Sequence, residues 1–326
     1  MEPLAPVPAR GLPLSARAPG KCILFGEHAV VHGAPELALA IDLTTQVFVK
    51  SGAAHQLNGD AEAARRNAYF RSGLERCWKD QPPVDVRVVS RIPRAAGLGS
   101  SAAFTAALAA ALSSVTGGID RPRLAQVAFD IERGAQGVGS PGDTSTVVAG
   151  GYISLNGGPG ERLWAVTDGS RQWEVRRVDD PGWVWVVAHS GIPRSTADAV
   201  RAVAQRLSQP DGPNLLREFD RVARSGIEAV QRGDREGTAH LLGENQRLLR
   251  EVGVSHPRLE ALIEAAHPAA MGAKLTGAGA GGSVVALAKP GQETDLIRRL
   301  ARAGGLPFAV RPAAFGAELV EFHGPP

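Results

Sequence analysis

The stretch from Pro93 to Leu112, PRAAGLGSSAAFTAALAAAL, constrains the fold more than any other part of the chain. Gly97 and Gly99 allow a tight backbone turn, and Ser100 and Ser101 then fall where a helix N-cap is expected. The alanine-rich run that follows has strong helix propensity. A helix entered this way presents unpaired N–H groups and the positive end of its dipole, which suits an anion such as a phosphate. The lysine of the G-x-x-x-x-G-K-[ST] loop is missing, however. If the loop holds a phosphate, the cation and the chemistry must come from elsewhere in the chain.

The surrounding sequence belongs to an enzyme-sized protein. Its 326 residues, 44% hydrophobic and 21% charged, exceed what a single core usually holds, so two domains are expected. We place them at 1–185 and 186–326. A formal net charge of +3 with no basic run argues against a nucleic-acid surface and is neutral towards small anions. The two cysteines, Cys22 and Cys77, have neither disulfide-framework nor zinc-ligand spacing, which suits a reducing cytosol. No run approaches 18 apolar residues and no signal-peptide pattern opens the chain, so a soluble, cytoplasmic protein is expected, with no membrane partner.

Along the chain, GEHAVVHGAPE reads as a glycine-punctuated loop, followed by strands LALAI and TTQVFVK; VDVRVVS (84–90) alternates as another strand. Helices are expected at 102–112 and 123–133. Residues 134–150 read as a long loop, leading to a strand at 151–155. WVWVVAHS (183–190) is an apolar strand. Helices with breaks near 210–213, 233–234 and 253–257 fill 194–266. The tail alternates strand, strand, helix (292–303), strand, strand. The pattern is α+β, strand-rich in the first half and helix-rich in the second.

Gly97-x-Gly99-x-x-Ala102 also matches the dinucleotide fingerprint, but SSVTGGI, before the acidic candidate Asp120, is not the buried strand that fold requires. Two further glycine-rich stretches point another way: APGKCILFGEHAVVHG (Ala18–Gly33) and KLTGAGAGGSVVAL (Lys274–Leu287). Each alone reads as a turn. In their order and spacing, the three together resemble the three motifs of the GHMP kinases. That resemblance implies a two-domain fold, a ribosomal protein S5 domain 2-like N-terminal domain and a ferredoxin-like α/β C-terminal domain. It implies transfer of the ATP γ-phosphate to a small-molecule hydroxyl, with Mg²⁺. The form of the first motif implies mevalonate as the acceptor, and with the carboxylate end held away from Asp143 we expect its 5-hydroxyl as the target.

The resemblance also assigns roles. Pro93, Ala96, Gly97, Leu98, Gly99, Ser100, Ser101 and Ala102 would wrap the nucleotide phosphates, with Gly277 and Gly279 of the third motif bracing them. Ser101 would share Mg²⁺ with Glu132, although Ser100 could take its place and N-capping is the plain alternative for both serines. Asp143, expected on a loop in SPGDTST, would accept the proton of the acceptor hydroxyl, and Lys21 would stand beside it. Thus the lysine missing from the glycine loop comes from the first motif. Glu27, His28, Thr196 and Arg194 would meet the acceptor. Position 136 carries Gln where the resemblance would bring a histidine. Two alternatives stay open: a kinase for another small hydroxy acid, a phosphomevalonate or a sugar, and a non-catalytic nucleotide or metabolite sensor. The sequence leaves open whether the protein works as a monomer or a homodimer.

Overall fold

A computed structural model describes residues 11–137, 139–193 and 196–325, with only the backbone of Thr196 and Ala197. The first sheet is built from β1 (Leu14–Phe25), β2 (Glu36–Ser51), β3 (Gln56–Leu57), β4 (Val84–Ser90), β5 (Tyr152–Leu155), β6 (Arg162–Asp168), β7 (Arg171–Val178) and the tail strand β12 (Glu318–Val320). Its main path runs β12-β1-β2-β5-β7-β6. The first residues of the long β2 pair with β5 and its last with β4, to which β3 adds in parallel. Five helices accompany this sheet: α1 (Ala61–Arg66), α2 (Ala68–Cys77), α3 (Ser100–Val115), α4 (Arg121–Gln136) and α5 (Gly142–Ala149).

The alanine-rich α3 is the spine of this half. Every residue from Ala102 to Ser114 is buried, because the helix touches β1, β2, α2, α4 and α5. A helix apolar all round has to be buried all round, and small side chains let that many elements approach it. Its first turn is therefore held fixed from several sides.

The second sheet contains β8 (Trp185–His189), β9 (Ala270–Thr276), β10 (Ser283–Ala288) and β11 (Leu306–Val310), antiparallel throughout in the order β11-β8-β10-β9. Counted within the sheet this is 4-1-3-2, the order of a ferredoxin-like unit. Helices α6 (Thr196–Leu207), α7 (Gly212–Gln231), α8 (Arg235–Glu251) and α9 (Pro257–Ala266) lie between β8 and β9, and α10 (Glu293–Arg302) connects β10 to β11. The helix breaks fall where Gly, Pro and Asp cluster; Asp234, for instance, caps α8 by accepting from the Gly237 N–H.

Several elements differ from the sequence reading. LALAI and TTQVFVK form one continuous strand. Among its described residues the first half holds five α-helices beside its strands, so it is not simply strand-rich. Residues 142–149, expected in a loop, form α5. The tail returns to the first sheet, with Ser15 opposite Val320, so β12 lies away from the sheet that begins at Trp185.

Candidate active site

The glycine loop turns with Gly97 and Gly99 at φ +81° and +76°. Gly99 itself is the N-cap of α3, in a left-handed conformation, and no side chain caps the helix. Ser100 and Ser101 are therefore the first two helical residues, a correction to their expected place as caps. An uncapped first turn leaves N–H groups without intrahelical partners, which is what an anion cradle needs. The loop is fastened to β1, where the Lys21 N–H donates to the Leu98 carbonyl at 2.9 Å. A Cβ at Gly99 would run into the Lys21 side chain, so glycine is required here for space as well as for φ.

Lys21 is buried, and its Nζ lies 2.6 Å from Asp143 Oδ1. The partner lies in the first turn of α5 rather than on a loop. Every other residue of that helix is buried, whereas the Asp143 side chain keeps 36% of its exposure. The hydroxyls of Thr144 and Thr146 donate back to the Pro141 and Gly142 carbonyls, consuming their own polarity inside the protein. One carboxylate is thus left facing outward from a rigid short helix, with a lysine beneath it.

Next to this pair, the Ser101 hydroxyl donates to Glu132 Oε1 at 2.8 Å, and the Gln136 amide donates to the same oxygen at 3.1 Å and to the Tyr69 hydroxyl at 2.9 Å. Burial, and secondarily the charge of Asp143, pushes the Glu132 carboxyl up to about 7. A carboxylate that costs this much to ionise would be relieved by a cation. Among the described residues no three His, Cys, Asp or Glu side chains gather to hold a metal by themselves. A concave space of about 700 Å³ opens at the other end of α5, against Arg121, Tyr152, Arg177 and Pro312, and includes none of these groups.

Two functional-looking residues were not foreseen. Lys274, wholly buried on β9, forms an ion pair with Glu27 Oε1 and donates to the Leu275 carbonyl at 2.6 Å. Burial drives both partners of the pair towards their neutral forms, and their mutual attraction opposes it. The third motif is also bonded to the first through Thr276, whose hydroxyl accepts from the Ile23 N–H and donates to the Ile23 carbonyl. Its Ser283 donates to the Ala96 carbonyl at 2.7 Å, so this motif braces the glycine loop through a side chain. Gly277 and Gly279 both turn at positive φ, and a Cβ on Gly279 would strike Val254. Glu27 is thus 1% exposed and bonded within the protein, while His28 lies with its Nε2 3.1 Å from the Ala278 carbonyl. Arg194 lies outside the described residues, and Thr196 opens α6 with its side chain undescribed.

The second unforeseen residue is Glu36, 2% exposed, with a shielded Oε1 that has no hydrogen-bond partner and that packs where a Cβ on Gly142 would be. Burial, reinforced by Asp143, pushes its carboxyl from 4.5 up to about 8. Between those two values the unfolded chain has released this proton and the folded chain retains it, so stability falls as pH rises. The slope approaches about 1.4 kcal/mol per pH unit. Glu36→Gln cannot ionise, so its melting temperature relative to wild type should climb between pH 5 and pH 8. A constant difference across that range would show Glu36 ionised in the folded protein.

This arrangement joins an uncapped helix N-terminus, a lysine–aspartate pair and a hydroxyl–carboxylate pair in one place. The family model for the GHMP kinases N terminal domain matches residues 62–151, and that for the GHMP kinases C terminal matches residues 227–305. The chain belongs to the GHMP kinases. The mevalonate kinase of Methanothermobacter thermautotrophicus is 34% identical to this GHMP kinase over 300 residues, covering 88% of this chain and 94% of that one. Among solved structures, L. major mevalonate kinase in complex with R-mevalonate superposes with a TM-score of 0.78 at 24% identity, covering 95% and 99% of the two chains. Lactococcus lactis galactokinase complexed with galactose gives 0.74 at 17% identity over 94% and 95%. The fold is therefore shared by kinases whose acceptors differ, and the choice of acceptor rests on the sequence relatives and on the site. Among the described residues no helix is long and apolar enough to cross a membrane.

Proposed function

We infer that this GHMP kinase transfers the γ-phosphate of ATP to the 5-hydroxyl of mevalonate. The observation that carries the reading is the Lys21–Asp143 pair, 2.6 Å apart and fastened through Lys21 to the uncapped start of α3. Phosphoryl transfer asks a protein mainly for positioning and charge stabilisation. The N–H groups of the loop and first turn, from Gly97 to Ala102, cradle the phosphates. Asp143 accepts the proton of the acceptor hydroxyl as its oxygen bonds to the γ-phosphorus and the bond to the ADP oxygen breaks. Lys21 meets the charge on the transferred group. Ser101 and Glu132 fit Mg²⁺, because a hydroxyl and a buried carboxylate oxygen already converge there and hard oxygen ligands suit that ion. Bound there, the ion would offset charge on the nucleotide phosphates. We place the acceptor's far end at the turn carrying Glu27 and His28, and the resemblance adds Thr196 and Arg194 as further contacts for it. On this reading residues 1–185 carry the nucleotide and the chemistry, and residues 186–326 close the acceptor side.

ADP release should be measured with mevalonate, 5-phosphomevalonate, galactose and homoserine as acceptors. Turnover is expected with mevalonate at a kcat/KM at least about 100-fold above the others, because the site's polar groups match one acceptor and are left unpaired by the rest. Turnover with galactose or homoserine instead would keep the kinase and change its acceptor. No turnover with any of them would favour a binding protein.

A further inference from the structure

The ion pair between Lys274 and Glu27 is costly by its location. Both side chains are almost wholly buried, at 0% and 1% exposure, and they come from β9 of the second sheet and from the turn that follows β1, 247 residues apart in sequence. A buried ion pair is seldom more stabilising than apolar residues of the same shape, so its presence calls for a reason other than stability. What it adjoins supplies one. Glu27 is followed by His28, whose backbone is held at φ +63° and ψ −37°, a conformation that costs energy in a residue with a Cβ. Such strain persists only where the surroundings over-determine it, and here they do so from one side. Lys274 holds Glu27, Thr276 brackets Ile23 through both backbone groups, and the Ala278 carbonyl meets the His28 ring. Lys274 and Thr276 share one face of β9, as alternate residues of a strand must. The remaining Glu27 oxygen, Oε2, is shielded and has no partner, so Lys274 is the side chain that fixes this carboxylate.

We propose that Lys274 is a positioning residue for the acceptor, fixing the Glu27–His28 turn against the second sheet so that the acceptor hydroxyl reaches Asp143. Lys274 touches neither phosphate nor reacting oxygen; it acts through Glu27. The inference rests on the reading of this turn as the acceptor side, and it separates the acceptor from the nucleotide. The nucleotide loop is held by other contacts, the Lys21 N–H on Leu98 and the Ser283 hydroxyl on Ala96.

The test compares Lys274→Met, Lys274→Arg and the double variant Lys274→Met with Glu27→Gln in the full chain. Lys274→Met leaves a buried charge unpaired and is expected to lose stability. The double variant removes both charges with little change in shape and should regain most of the melting temperature. If Lys274 positions the acceptor, the refolded double variant should still show a KM for mevalonate raised at least tenfold and a lowered kcat, with the KM for ATP within about twofold of wild type. Lys274→Arg, which keeps the cation, should recover part of the loss. A double variant with normal KM for mevalonate would show the pair to be structural and overturn the proposal. So would one that raises both KM values equally, or one that fails to fold, since either would make the pair a requirement of the whole fold. Wild-type turnover on mevalonate is the control: if the wild type prefers another acceptor of the panel, the functional reading changes and the same comparison is made with that acceptor.

Discussion

Asp143→Asn should fold and bind nucleotide as the wild type does, yet turn over roughly 10²–10⁴-fold more slowly, the usual contribution of a positioned base. Asparagine preserves the shape of the side chain and can still accept from Lys21, so α5 should keep its place. What is lost is the capacity to take a proton from the acceptor hydroxyl. The location of Asp143 favours a clean result. Its side chain is the one on α5 that reaches solvent, and the rest of the helix is buried around it. Steady-state kcat, with nucleotide affinity measured separately, decides the matter. A kcat within about threefold of wild type would remove Asp143 from the chemistry.

Lys21→Met should lower kcat by roughly 10²–10³-fold, the scale seen when one group stabilising transition-state charge is removed. Methionine retains the apolar stem against Gly99 and deletes only the ammonium group. The partner left behind is partly exposed, so water can solvate Asp143, and the fold should survive better than when a fully buried pair is broken. Because charge on the transferred group is met chiefly in the transition state, KM for mevalonate should change little. Normal kcat with a raised KM for ATP would reduce Lys21 to ground-state nucleotide binding.

Much of this site is legible in the sequence because glycine and alanine mark it. Gly97 and Gly99 announce a turn, the alanines announce a helix, and the second helix at Glu132 follows from ordinary periodicity. The Lys21–Asp143 pairing came from family resemblance rather than from pattern, and the 2.6 Å contact agrees with it. Short α5 was unreadable for a physical reason. Gly-Asp-Thr-Ser-Thr-Val-Val-Ala has weak helix propensity and lies between Pro141 and Gly150, and only burial on nearly every side makes it helical. The pairing of Lys274 with Glu27 carries no local signal, since a lysine in a strand reads as a solvated position until the fold brings it onto the turn after β1. Glu36 did carry one, a carboxylate opening the apolar run ELALAI, where an acidic residue on a buried strand should raise the question of its proton. The capping role expected of Ser100 and Ser101 failed because Gly99 already occupies the N-cap, which leaves the first turn open.

The measurement that bears most directly on the central claim is phosphorus NMR of the product formed from mevalonate, ATP and Mg²⁺. Transfer to the 5-oxygen gives one new phosphomonoester signal, split by the two protons on C5, and ADP appears in equal amount. That is the result expected if Asp143 faces the primary hydroxyl while the carboxylate end rests at the Glu27–His28 turn. An unsplit phosphomonoester signal would place the phosphate on the tertiary oxygen and reverse the acceptor's orientation. ADP accompanied only by inorganic phosphate would contradict the claim outright, because the site would then deliver the γ-phosphate to water and not to mevalonate.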